Sequence, residues 1–151
     1  MLTARWLMVN TSKEYGMSNK FSLGKSQPEN VNGGEMRRAN GKSFPALKGL
    51  SLQLLSLPSG EIRAPHTHPS VAQMDLVTSG TGKVGIGDSI YEVEKGDLTF
   101  IPAGHVHWIE NTGNEPLEFV LVLADESAET IELSNMVAGL PDSVRAKAGI
   151  K

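Results

Sequence analysis

GEIRAPHTHPSVAQMDLVTSG, residues 60–80, is the stretch from which the fold can be read, and it begins with two histidines spaced i and i+2, His66 and His68. A second stretch, GDLTFIPAGHVHWIEN at residues 96–111, repeats the spacing with His105 and His107, so these two segments hold all four histidines of the chain. In an extended strand residues i and i+2 share a face, about 7 Å apart along the backbone, so His66 and His68 can present two imidazoles to one interior. Such a pair can grip one metal ion. A lone buried histidine is more often a satisfied core residue, but two clustered pairs make that reading weaker. The clustering alone does not identify a fold.

Working outward, Leu50, Leu52 and Leu54 alternate with Ser51 and Gln53 in the period of a half-buried strand, and Pro58-Ser59-Gly60 closes it. Short apolar segments follow at 73–78, 82–86, 89–93, 98–101, 107–110 and 117–123. They are separated by Ser79-Gly80, Gly87-Asp88, Lys95-Gly96-Asp97, Pro102-Ala103-Gly104 and Thr112-Gly113-Asn114. Many short strands at this spacing predict an all-β sandwich or barrel. Near the end Leu133, Val137, Leu140, Val144 and Ala148 fall at helical spacing, with Pro141 able to open a helix and Gly149 to stop one, which predicts two short terminal helices. Residues 1–27 show neither period and are expected to form a flexible arm, within which Met17 is an alternative start. Residues 28–149 are expected to be the single domain.

The two histidine stretches resemble the paired motifs of the cupin family. The first motif is matched by Gly60, His66, His68 and Gly80, with Gln73 where the family usually has Glu. The second is matched by Gly96, Pro102, Gly104, His107 and Asn111. The resemblance implies a double-stranded β-helix, or jelly-roll barrel, and a metal set of His66, His68, Gln73 and His107, with His105 outside it. Gly80, Gly96 and Gly104 fall where the hairpins must turn sharply, and Pro102 pre-sets the turn that delivers His107.

Over residues 28–149 the chain further resembles one cupin domain of oxalate decarboxylase, through Gly33-Gly34, Arg37, Phe44, the run Glu110–Leu117 and the helical tail. That likeness implies Mn²⁺ or Fe²⁺, with Zn²⁺ or Ni²⁺ as alternatives. It also implies that Arg63, three residues before His66, holds a substrate carboxylate, for which guanidinium is the natural bidentate partner. Gln73 departs from the pattern: a neutral ligand set leaves the metal its full charge, which disfavours redox turnover and favours a Lewis acid. Leu121 stands where that family can carry a proton-transferring carboxylate on the strand after the last ligand. The proton role is left to Glu126 or Glu129 in an acidic lid segment, 125–130, or to Asp75, which strand parity turns inward with Gln73 while Met74 and Leu76 face outward.

A formal charge of −3 gives no basic field for nucleic acid or an anionic membrane, so a small carboxylate is the expected partner. The absence of cysteine excludes thiol nucleophiles, disulfides and zinc–thiolate sites. Trp6–Val9 is too short an apolar run for a span or a secretory core, so a cytoplasmic protein is expected. The resemblance implies a homodimer. Three functions stay open: an oxalate-decarboxylase-like enzyme, a non-redox lyase or isomerase of sugar acids, and a non-catalytic carboxylate-binding or sensing protein.

Overall fold

A computed structural model describes residues 18–150. Eleven strands run in the order β1 (Glu29–Val31), β2 (Gly34–Asn40), β3 (Ser51–Leu57), β4 (Ile62–Thr67), β5 (Gln73–Ser79), β6 (Thr81–Ile86), β7 (Ser89–Glu94), β8 (Leu98–Ile101), β9 (His107–Asn111), β10 (Leu117–Leu123) and β11 (Ile131–Glu132). Two short helices follow, α1 (Leu133–Ala138) and α2 (Asp142–Lys147). One sheet has the order β1-β2-β3-β10-β5-β8 and the other β11-β4-β9-β6-β7. Every pairing is antiparallel. The interior lies between the two sheets, as in a jelly roll.

The turns predicted from glycine form as expected. Gly80, Gly96 and Gly104 have φ of 81°, 99° and 78°, which only glycine adopts without cost. At Gly80 a side chain is excluded twice over, because a Cβ there would lie 2.6 Å from the Pro116 carbonyl oxygen. Asn111 explains its place in the motif: buried at the end of β9, it donates to the carbonyls of Leu57 and Glu115 and accepts from the Gly113 N–H. One side chain thus closes the β9–β10 turn and ties it to β3.

The predicted strands are present with ends moved by a residue at most, and in β3 the structure settles which face is the inner one. Ser51, Gln53, Leu55 and Leu57 are buried, while Leu52 and Leu54 are half-buried and Leu50 is exposed. The leucine alternation therefore marks the outer face. The strand continues to Leu57, and Leu55 and Leu57 fix its parity from the far end. Strands β1, β2 and β11 lie outside the strand segments read from the sequence; β1 and β2 extend the larger sheet beyond β3.

The interior is divided along its length. Neighbouring strands place Leu55, Phe119 and Val77 in one row, and Gln53, Leu121 and Asp75 in the next. The first row belongs to a dry core with Leu57, Val84, Ile109 and Leu117, all 1% exposed or less; each large apolar side chain so buried contributes about 1.5–3 kcal/mol. The other end collects the buried polar groups Ser51, Gln53, Arg63, His66, His68, Gln73, Asp75 and His107. A barrel with one end dry and the other polar is a scaffold with a site in it.

Of the expected N-terminal arm, residues 1–17 lie outside the described residues, and so does Met17. Residues 18–27 include a 3₁₀ turn at Leu23–Lys25. Phe21 stacks on Phe44 at 5.7 Å between ring centroids, and the Arg37 guanidinium donates to the Ser26 carbonyl. Both expected helices form, and neither buries a side chain fully.

Candidate metal centre

His66 and His107 face each other across the β4–β9 pair, and His68 follows just beyond the end of β4. Their ring nitrogens lie within 4.8 Å of one another, and all three residues are buried. Each ring is oriented by a backbone carbonyl on its Nδ1: Ala64 for His66 at 2.7 Å, Glu129 for His68 at 2.7 Å and His105 for His107 at 3.1 Å. A carbonyl only accepts, so each Nδ1 carries the proton and each Nε2 keeps its lone pair. The buried Nε2 of His107 has no hydrogen-bond partner.

The electrostatics favour the same state. Burial, aided by His107 and Arg63, pushes His66 down to about 2, and burial takes His107 to about 4. His68 is lowered as well, chiefly by burial, with the Glu129 carbonyl opposing. Three neutral imidazoles with converging lone pairs fit a divalent cation, because a metal ligand must be deprotonated and three like cations could not share the space. The carbonyl contacts on Nδ1 are the outer contacts that metal-ligating histidines ordinarily have.

Gln73 lies on the inward face of β5 at the same end, buried, and lines the cavity with His66 and His68. Asp75 is fully buried and Met74 and Leu76 are exposed, as strand parity predicts. Burial pushes the Asp75 carboxyl up to about 7, with the Gln73 amide opposing.

Arg63 reaches the same cavity by an irregularity. An odd separation from His66 should turn it to the opposite face of the strand. Between the Arg63–Ile109 and His66–His107 pairs, β4 takes three steps against two on β9. This β-bulge holds Pro65, which has no N–H to give the ladder. It turns both side chains inward, so that Arg63 is buried with the histidines and its charge acts on all three. Glu132, across from His66 on β11, forms an ion pair with Arg63 at 2.7 Å. The guanidinium Nε has no hydrogen-bond partner.

The remaining sequence candidates are placed elsewhere. Glu126 is engaged elsewhere, its Oε1 accepting from the Gly49 N–H at 2.7 Å. The Glu129 side chain is exposed, although its carbonyl orients His68. His105 is exposed, as expected, and touches the centre only through the carbonyl it offers His107. Sequence reasoning missed Glu132, Gln53, Arg38 and Thr130, the last three lining the cavity with His66 and His68. No pattern in the sequence singles them out: Gln53 lies on a strand whose inner face the period does not name, Thr130 in the acidic segment 125–130, and Arg38 and Glu132 in no element read from the sequence. The open space at the centre is about 10 Å³, room for one ion or one water.

A profile of the family described as Cupin matches residues 21–148. The chain is a cupin. Among curated relatives, this cupin is 25% identical over 128 residues to the oxalate decarboxylase OxdC of Bacillus subtilis, a match covering 82% of this chain and 33% of the relative. It is 30% identical over 142 residues to germin-like protein 9-3 of Oryza sativa subsp. japonica, covering 88% of this chain and 66% of the relative. The chain thus spans a third of the decarboxylase and just under two thirds of the germin-like protein. Among solved structures, the Bacillus subtilis oxalate decarboxylase at pH 4.6 superposes with a TM-score of 0.77 at 25% identity, over 85% of this chain and 35% of that one. Among the described residues no helix is long and apolar enough to cross a membrane.

Proposed function

We propose that this cupin binds one divalent metal on His66, His68, His107 and the Gln73 carbonyl oxygen and uses it to act on a small carboxylate such as oxalate or a related keto or hydroxy acid. The observation that carries the reading is Arg63: a bulge turns a guanidinium, with a donor unpaired, into the cavity that holds three neutral histidines. Mn²⁺ is the first metal to try, because Mn(II) centres are described for the Bacillus subtilis oxalate decarboxylase that this chain resembles; Fe²⁺ follows. When bound, the metal would supply Lewis acidity toward a carboxylate or carbonyl oxygen. Arg63 would orient that carboxylate, and the dry wall of Leu55, Ile109 and Leu121 would exclude water.

The cavity has no room for a carboxylate until something moves. A neighbouring hollow of about 190 Å³ shares Arg38 and Gln53 with it and is bounded by Glu126, Ser127 and Ala128, so displacement of segment 125–130 is the proposed route inward. Glu126 and Glu129 ride on that segment and would handle protons only in its displaced state, whereas Asp75 is already inside. The neutral Gln73 favours a second reading, a non-redox lyase or isomerase of sugar acids. Dependence of turnover on dioxygen separates it from the decarboxylase reading, and binding without turnover would leave a sensing protein. The decisive experiment is metal analysis of the purified protein followed by calorimetric titration of oxalate and a keto-uronate. Absence of stoichiometric metal or of any carboxylate binding would overturn the proposal. A homodimer is part of the same reading, supported by the exposed apolar band of Met74, Leu76, Leu98 and Phe100 across β5 and β8, and light scattering tests it.

A further inference from the structure

Asp75 is the group at this centre for which metal binding by three histidines gives no use. Its carboxyl is fully buried, and neither oxygen has a hydrogen-bond partner of good geometry. Unpaired buried carboxylates are costly and seldom kept without a role. Its surroundings on the inner face of the sheet are specific. Gln73 precedes it by two residues on the same side of β5, Leu121 flanks it on β10, and Thr99 lies across from it on β8 with a hydroxyl that is also buried and unpartnered. Both potential donors, an amide N–H and a hydroxyl, therefore border the carboxyl.

The Gln73 amide has two unlike ends, and only its oxygen can bind a metal. A free glutamine at the edge of a cation site can present either end. Here Gln73 lines the cavity with His66 and His68, and the unpartnered carboxyl of Asp75 follows it on the same buried face of β5. We propose that Asp75 is a positioning residue: its unpartnered oxygens stand ready to accept the Gln73 N–H and the Thr99 hydroxyl when a metal is bound, which would lock the amide with its oxygen toward the three histidines and so make a glutamine serve as the fourth ligand. The proposal rests on the reading of Gln73 as a ligand. It explains why a buried acid stands two residues after a neutral ligand, since a glutamate at 73 would have no N–H to give it.

The consequence is that positions 73 and 75 form one hydrogen-bonded unit whose polarity can be exchanged. With Asn at 75 and Gln at 73, two amides face each other and the Gln73 N–H₂ is as free as its oxygen to turn to the metal. With Glu at 73 and Asn at 75, the donor sits on 75 and both ends of the unit are satisfied again.

The test is a double-mutant cycle on metal-free protein, titrating Mn²⁺ alone by calorimetry and following Co²⁺ by its visible absorption, with no carboxylate present. Asp75→Asn is expected to weaken Mn²⁺ binding about tenfold in the Gln73 background and to strengthen it in the Gln73→Glu background, a reversal of sign that independent sites do not give. The Co²⁺ spectrum should change in Asp75→Asn and return toward a four-ligand form in the double variant. Thermal unfolding of the metal-free proteins separates this from a structural role, because Asp75→Asn keeps the size of a buried side chain whose oxygens have no hydrogen-bond partner and should not lower the midpoint while metal affinity falls. Equal effects of Asp75→Asn in both backgrounds, or parallel losses of stability and affinity, would overturn the proposal. Gln73→Ala reports on the underlying ligand reading by itself: unchanged Mn²⁺ affinity there would remove the premise, whereas a loss there with no reversal in the cycle would reject Asp75 alone.

Discussion

Replacing Arg63 tests the carboxylate reading directly, and the structure sets what to expect. The guanidinium is already engaged with Glu132 at 2.7 Å, with both side chains largely buried, at 5% and 17% exposure. A carboxylate arriving at the metal must share or displace that partner. The loss of a charge-assisted contact in a closed site is on the order of 2–5 kcal/mol, and competition from Glu132 places Arg63→Ala near the lower end, about 2 kcal/mol or roughly thirtyfold in Kd. Arg63→Lys should recover part of this, because an ammonium keeps the charge without the planar fork. The same substitution has a folding cost: with Arg63 gone, Glu132 is a buried carboxylate without its partner, a change that ordinarily costs about 3–5 kcal/mol. Glu132→Gln separates the two effects. In the Arg63→Ala background it should restore much of the stability and none of the affinity, while on its own it removes the competitor and should tighten carboxylate binding. The assay is calorimetric titration of oxalate into Mn²⁺-loaded wild type and variants, with metal content measured in each. Unchanged oxalate affinity across wild type, Arg63→Ala and Arg63→Lys at full metal occupancy would refute the reasoning and leave Arg63 as half of a structural ion pair.

His66→Ala, His68→Ala and His107→Ala should each abolish stoichiometric metal by elemental analysis, while His105→Ala, which leaves the carbonyl on the His107 ring intact, should retain it. Between about pH 4 and 6.5 the unfolded chain binds protons at residues 66 and 107 that the folded chain does not, and Asp75 holds one proton only when folded. The difference is one proton in favour of the unfolded state, so stability of the metal-free protein should rise by about 1.4 kcal/mol per pH unit over this range in denaturant titrations, with His68 adding in the same direction. Above about pH 6.5 the histidine contribution is complete while folded Asp75 still holds its proton, so the slope should reverse there and flatten once Asp75 ionises above about 7; a stability flat from pH 4 to 7 would contradict the neutral buried histidines. Gly80→Ala, at φ 81° and against the Pro116 carbonyl, should destabilise the fold by more than 1 kcal/mol as an order-of-magnitude figure without changing metal affinity per folded molecule.

The ligands were legible in the sequence because their geometry is local. His66 and His68 share a face by strand parity, His107 is delivered by a turn whose glycine must take positive φ, and the spacing of the two motifs is what a family resemblance reads. Asp75 was legible for the same reason, since it needs only the parity of β5. The β3 strand shows how far local pattern goes. Leu50, Leu52 and Leu54 alternate cleanly, but so do Leu55 and Leu57 in the other phase, and the strand lies in a sheet covered in part on both sides. Period 2 gives the two faces and not which one is inner. The outcome is set by β10, whose Leu121 and Phe119 sit beside Gln53 and Leu55 in register, a pairing between residues more than sixty positions apart in the chain.

Arg63 shows the converse, a correct expectation that parity alone would have denied. Three residues before an inward histidine, a regular strand turns its side chain outward, and the sequence offers only Pro65 as a sign that the strand is not regular there. The extra residue between Arg63 and His66 corrects the parity and brings a cation among three bases that must stay neutral. That arrangement needs a counter-charge, and it comes from Glu132, a residue on the last and shortest strand with no period to mark it. An anion from solution can replace Glu132 only if β11 yields or the guanidinium turns its free Nε to the newcomer. Because β11 leads directly into α1 and is preceded by segment 125–130, movement of that segment and release of Arg63 would be mechanically joined. Admission of a carboxylate to the metal and the freeing of the group that holds it would then be one event.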